Sequence, residues 1–185
     1  MKKIIYILFA TVMFFSQLTF SQEKVLTEDQ ILNSLRKNEL HSSFSNNEAN
    51  INQDGQNNTG IVNQVKNGIY GGNLSNISQS GIYNEALLLQ YGSGNTTNIN
   101  QDGNYNYAEI DIIGHNIYSE INQSGNHNYI DQNFSGSGMN FSVQQQGNNN
   151  ELIQNQSGND AVNYKITQNG NGISTVINNG LIIIK

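Results

Sequence analysis

Between Thr97 and Ile112 the chain alternates between two kinds of position. Thr97, Ile99 and Gln101 are separated by Asn98 and Asn100, and Asn106, Ala108, Ile110 and Ile112 by Tyr107, Glu109 and Asp111. A period of two puts every second side chain on one face of an extended strand. Asp102-Gly103-Asn104-Tyr105 lies between the two runs, and Gly and Asn enter left-handed backbone at low cost. The stretch predicts two short strands joined by a turn, each with one buried face. The chain contains no Pro, so no backbone N–H is lost to a strand ladder.

The pattern recurs. Gln79 to Gln90, QSGIYNEALLLQ, reads Gln-x-Gly-x-x-Asn-x-Ala-x-x-x-Gln. Gln53, Gln101, Gln123, Gln145 and Gln168 open further copies, with Gly55, Gly103, Gly125, Gly147 and Gly170 two residues on, as Gly81 follows Gln79. Gln79, Gln101, Gln123 and Gln145 stand 22 residues apart; Gln53 precedes Gln79 by 26, with the extra residues near Ile69–Gly72, and Gln168 follows Gln145 by 23. A fixed period with insertions confined to the gaps is the signature of a solenoid. The expected fold is all-β: a β-solenoid of about six stacked 22-residue strand-turn-strand repeats over residues 49–180.

One such strand pair cannot bury its apolar face; stacked at about 4.8 Å per rung, the pairs bury it against each other. The inward set of the first strands is Ile51, Ile77, Ile99, Ile121, Val143 and Ile166, and of the second strands Val62, Leu88, Ile110, Gln132, Gln154 and Ile177. A buried amide is costly unless paired. In a stack each Gln can bond its counterpart above and below. Gln53, Gln79, Gln101, Gln123, Gln145 and Gln168 form one expected ladder; Gln64, Gln90 and Gln156 belong to a second column, interrupted by Ile112 and Phe134 and closed by Asn179. A slip of one residue would break both columns and expose the isoleucines.

On these residues the repeat resembles the curlin repeat of curli, the secreted amyloid fibre subunits of bacteria. The Gln79–Gln90 copy matches at every position, and the resemblance extends from about Ala49 to Asn179 across all six copies. It implies a self-assembling subunit of an extracellular fibre serving biofilm matrix and adhesion. The implied partners are copies of itself, other curli-type subunits, the cell surface, and an outer-membrane secretion apparatus with accessory proteins. Asn38–Ser45, NELHSSFS, is similar to the segment before the first repeat of minor curli subunits. With the uneven repeat lengths and the apolar tail, it leans towards the nucleator type over the major subunit.

The start of the chain differs. Residues 1–21 read as a secretory signal peptide: Lys2 and Lys3, an apolar run from Ile4 to Phe15 too short to span a bilayer, and small residues Thr19 and Ser21 before a cleavage site at Gln22. Residues 22–48 form an N-terminal segment in which Thr27-Glu28-Asp29-Gln30 resembles a capping box opening a short helix over 28–38. With no Cys in the chain, neither disulfides nor thiolate sites are available. Asn and Gln make up 51 of 185 residues and charged residues 12%, against about a quarter charged in a typical enzyme.

Little in the sequence points to catalysis. No nucleophile, base and orienting group converge, so neither an enzyme nor a cofactor is expected. His115 and His127 fall at opposite edges of the expected solenoid, and Asp102-x-Asn104-x-Asn106 lacks the Gly and closing Glu of a calcium loop, so no metal site is expected. Glu109, Asp111 and Asp131 cluster on an outer face, where stacked like charges oppose ladder formation and slow assembly. Lys66, Lys165 and Lys185 make no basic stripe for nucleic acid. After Gly180, the tail Leu181, Ile182, Ile183 and Ile184 is apolar and β-prone at the place where a solenoid needs a cap. It is expected to open a rung that the chain does not finish and to act as a growing or docking end; the alternative is a plug folded back over the core. A second function class is a monomeric extracellular β-solenoid binding ice, polysaccharide or a surface, although no regular Thr array is visible.

Overall fold

The computed structural model describes residues 46–158 and 162–184. The signal peptide, the 28–38 helix and the NELHSSFS segment lie outside the described residues. Among the described residues thirteen strands follow one another: β1 (Glu48–Gln56), β2 (Thr59–Lys66), β3 (Leu74–Ile82), β4 (Glu85–Ser93), β5 (Thr96–Asn104), β6 (Tyr107–His115), β7 (Tyr118–Asn126), β8 (Tyr129–Ser137), β9 (Asn140–Gln146), β10 (Glu151–Gly158), β11 (Asn163–Asn169), β12 (Ser174–Asn178) and β13 (Leu181–Ile184). The first strands of the repeats form a six-stranded sheet in the order β1-β3-β5-β7-β9-β11, and the second strands a facing sheet, β13-β12-β10-β8-β6-β4-β2. Each odd–even pair from β1–β2 to β11–β12 is one rung.

Every pairing between rungs is parallel and keeps the repeat in register. Gln53 lies opposite Gln79, Gln79 opposite Gln101, Gln101 opposite Gln123, Gln123 opposite Gln145 and Gln145 opposite Gln168. The longer first interval is absorbed between β2 and β3, where Ile69 is 86% exposed. The later insertion falls between β10 and β11. Both therefore leave the ladders intact.

Burial follows the expected alternation. Ile77, Ile99, Ile121 and Val143 are buried on the first sheet, and Leu88, Ile110, Gln132, Gln154 and Ile177 on the second. The end strands β1, β2 and β11 differ because each has a strand neighbour on one side only among the described residues: Ile51 is 44% exposed, and Val62 and Ile166 are half-buried. The corner inside each rung is tighter than the sequence suggests. β5 runs on through Asn104, and the left-handed residue is Tyr105, with φ 56°. Asn57, Tyr83, His127 and Asn149 repeat that conformation. Gly103 is needed one step earlier, because a Cβ there would lie well inside 3.0 Å of the Gly125 carbonyl oxygen on the next rung.

The tail does not open a seventh rung. Asn179 and Gly180 both have positive φ, 45° and 85°, the conformation of a two-residue type I′ hairpin. They reverse the chain, and β13 pairs antiparallel with β12 from Asn178–Leu181 to Thr175–Ile184. Its side chains remain about half exposed or more, so it covers the edge of β12 without filling the core. An Asn-Gly step favours this reversal over continuation in the original sense.

Candidate functional site

The functional feature of this fold is the set of side-chain columns that lock rung to rung. Gln53 Nε2 donates to Gln79 Oε1 (2.6 Å), Gln79 to Gln101 (2.8 Å), Gln101 to Gln123 (2.9 Å), Gln123 to Gln145 (3.0 Å) and Gln145 to Gln168 (2.7 Å). The second Nε2 hydrogen crosses to the facing sheet: Gln79 donates to the Thr59 carbonyl, Gln101 to Glu85, Gln123 to Tyr107 and Gln145 to Tyr129, all at 2.9–3.0 Å. Each interior amide thus donates twice and accepts once, which offsets its burial. The column has a polarity: its donors point towards the C-terminal rung. There Gln168 Nε2 donates to Thr175 Oγ1 (3.0 Å) within its own rung.

A second ladder was not singled out from the sequence. The backbone N–H of Asn84 donates to Asn58 Oδ1, Asn106 to Asn84, Asn128 to Asn106 and Asn150 to Asn128, at 3.0–3.1 Å. Their Nδ2 groups donate to the carbonyls of Gly103, Gly125, Gly147 and Gly170 at 2.8–2.9 Å. Asn and Gly of the repeat therefore form one junction: the missing Cβ brings rungs together, and the amide satisfies the carbonyl left at the corner. The signal was present as an Asn five residues after each opener, replaced only by Ile173 after Gln168.

The other column is mixed. Gln64 Nε2 donates to Gln90 Oε1 (2.7 Å), but Gln90 meets Ile112 above it and donates sideways to Thr97 Oγ1 (2.8 Å). Gln156 has Phe134 on one side and Asn179 on the other. The Asn179 side chain instead accepts from the Ser157 N–H (2.8 Å), and Gln156 Oε1 is buried without a partner. The positions facing this column change with it. Ser75 and Thr97 bond Gln64 and Gln90, whereas Phe141 stacks on Phe134 with centroids 4.0 Å apart.

Gln132 and Gln154 form an amide pair in an otherwise apolar column, and Ser119 Oγ on the facing sheet donates to Gln132 Oε1 (3.1 Å). Gln132 Nε2 donates to Gln154 Oε1 (2.8 Å), and Gln154 Nε2 is buried without an acceptor. Removing one partner strands the other, whereas replacing both can be neutral or better. Gln154→Leu is therefore expected to cost about 1–2 kcal/mol. Gln132→Leu and Gln154→Leu combined with Ser119→Ala, which removes the hydroxyl that bonds Gln132, should recover most of that loss in chemical denaturation. A combined variant less stable than Gln154→Leu by the full additive amount would contradict this.

On the outer face, Glu109 and Asp131 are opposite each other on β6 and β8, and Asp111 lies opposite Asn133. Burial, followed by Glu109 and Asp131, holds the Asp111 carboxyl above its ordinary 3.8. Burial and Glu109 raise Asp131 against the opposing hydrogen bond from Asn133. Burial and the hydrogen bond to Glu109 Oε2 (2.6 Å) push the Tyr107 hydroxyl up. A carboxyl whose folded pKa is raised contributes most below its unfolded value and loses that contribution as pH rises through the folded value. The thermal midpoint is accordingly expected to rise on acidification from about pH 7 to about pH 4, and assembly to be faster there. Asp111→Asn with Asp131→Asn should flatten both trends. Equal lag times at the two pH values, with soluble protein at the start, would count against it.

His127 stacks on Tyr105 at 4.9 Å, and Tyr105 on Tyr83 at 5.1 Å, at the corner within the rungs. His115 ends β6, at the corner that leads to the next rung, with its Nδ1 3.0 Å from Ser93 Oγ. The two histidines are on different edges. Among the described residues no group of three His, Cys, Asp or Glu is placed to hold a metal ion.

Residues 71–103 match the family model described as Curlin associated repeat. No curated protein and no solved structure matches the chain. The matched stretch contains β3, β4 and most of β5, and thus the Gln79, Gly81, Asn84, Gln90 and Gln101 positions. The Gln79 and Gly81 positions are Gln and Gly in every rung before and after it, and the Asn84 position is Asn in all but the last. Residues 71–103 thus carry a Curlin associated repeat.

Proposed function

We propose that this chain is a secreted structural subunit that stacks with copies of itself, and with related subunits, into an extracellular curli-type amyloid fibre. The reading is carried by one observation: among the described residues the stack ends on rungs of the same kind as its interior, with open edges at β1, β2 and β11. Among the described residues, β1 and β2 pair only with β3 and β4, and β11 only with β9. Ile51, which faces inward on the first rung, is 44% exposed, whereas its counterparts Ile77 and Ile99 are buried. An open edge of this kind templates pairing with another chain. A second copy placed on β11 in the repeat register would set Ile51 on Ile166 and Gln53 on Gln168, extending both the apolar column and the amide ladder. A head-to-tail contact does not close, so it propagates as a filament.

The purified secreted chain should form thioflavin-positive fibres whose diffraction has a reflection at about 4.7–4.8 Å along the fibre axis. A chain that stays monomeric under conditions that preserve its β-structure would favour the monomeric binding reading instead.

A further inference from the structure

The two ends of the solenoid are not equivalent. At the first rung both β1 and β2 present an edge among the described residues. At the last rung the first sheet ends on β11, but the second sheet ends on β13, the one antiparallel strand among the described residues. The edge of β12 is where the next copy's β2 belongs. In the repeat register, Gly60 would lie opposite Thr175 and Val62 opposite Ile177. β13 already occupies that edge, with Ile184 opposite Thr175 and Ile182 opposite Ile177.

We infer that β13 is a displaceable strap on the last rung, and that its occupant during assembly is β2 of a second copy of this chain. The inference rests on the fibre reading. An incoming copy can pair its β1 with β11 at once, because that edge is open. Full stacking then needs β2 to exchange with β13. Every head-to-tail junction joins one last rung to one first rung, so the exchange is required whichever end of the fibre grows.

Three features suit β13 to leaving. It is four residues long, so it holds β12 through few ladder bonds. Its side chains are half exposed or more, so little apolar packing is lost when it goes. It hangs on a two-residue turn at Asn179-Gly180 with positive φ at both positions, which can open without disturbing β12. The incoming β2 offers a longer strand of eight residues and brings Val62 and Gln64 over the core. The exchange replaces an exposed strand with one that continues the columns.

The chain has no cysteine, so β13 can be locked with an engineered pair. Val176 and Ile183 are directly opposite on β12 and β13, and antiparallel partners have a Cα separation that a disulfide accepts. The full secreted chain carrying Val176→Cys and Ile183→Cys is tested in seeded elongation, oxidised and reduced, beside the unaltered chain and one lacking residues 181–185. The oxidised form should elongate at least about tenfold more slowly than its reduced form, because half of each junction ladder is denied to it. The shortened chain should elongate faster than the unaltered one with unchanged monomer β-content. Equal rates in oxidised and reduced forms overturn the inference and leave the fibre reading standing. So does a shortened chain that unfolds or elongates more slowly, or a closed dimer formed through β13 edges. If the unaltered chain forms no fibres, the fibre reading itself falls and the strap falls with it.

Discussion

Gly103→Ala is expected to collapse the stack. A Cβ at Gly103 would fall well inside 3.0 Å of the Gly125 carbonyl oxygen, and the residue sits at φ 124°. The atom it meets is backbone that accepts from Asn106 Nδ2, so it cannot swing aside as a side-chain tip would. β5 and β7 must part at that corner, and the Asn junction parts with them. A clash of this kind belongs with the rare substitutions that cost more than about 4 kcal/mol, a large share of a domain stability of about 5–15 kcal/mol. Gly172→Ala is the matching control. Gly172 has φ 70°, yet a Cβ there meets nothing within 4 Å, so only the left-handed backbone penalty of about 1–2 kcal/mol applies. Urea denaturation followed by circular dichroism separates them. Similar midpoints for the two variants would mean that close approach of the rungs does not require glycine.

Gln101→Glu is expected to make stability steeply dependent on pH. Gln101 is fully buried; it accepts from Gln79 and donates to Gln123 Oε1 and to the Glu85 carbonyl. A carboxylate there keeps the first bond but faces two acceptors with no hydrogen to give. An uncompensated buried charge costs about 3–5 kcal/mol. Protonation restores one donor towards Gln123 and leaves the Glu85 carbonyl unserved. The folded pKa of the introduced carboxyl must lie above its unfolded value, so the variant is least stable at neutral pH and regains stability as pH falls through the folded value. Gln101→Leu cannot titrate and should show a smaller loss of about 2–3 kcal/mol with no such slope. If Gln101→Glu matches the unaltered chain at pH 7, the glutamine column is not a buried ladder.

Much of this architecture was legible because its causes are periodic. The alternation of Ile99 and Gln101 with Asn98 and Asn100 gave strand and face together, and recurrence at 22 residues placed Gln101 on Gln123 before any coordinates. What escaped depends on relations across the core or on chain direction. The pairing of Gln90 with Thr97, and of Phe134 with Phe141, joins two strands that face each other, and a period along one strand does not reveal it. The Asn ladder sits at the turn, outside the strands, where the Oδ1 atoms of Asn84 and Asn106 each accept from both the backbone N–H and the Nδ2 of the Asn on the next rung. Gln156 was placed in a ladder by column position, but the Asn179 above it lies at a hairpin corner and spends its oxygen on Ser157. The tail turned on the same two residues. LIIIK reads as a strand, and the sense in which it runs is set by the Asn179-Gly180 step before it.

The central claim is that the register inside the chain continues between chains. It is tested most directly by cross-linking two singly substituted forms in mixed fibres. Asn52 on β1 and Thr167 on β11 flank the amide column and point outwards, where both are exposed. Continued register places Asn52 of one copy directly on Thr167 of the next, at about 4.8 Å and within disulfide reach. Fibres grown from equal amounts of the Asn52→Cys and Thr167→Cys chains and then oxidised should yield the mixed disulfide dimer in large excess over either like dimer. Fibres that form normally but give mostly like dimers, or no cross-link between these two positions, would contradict it.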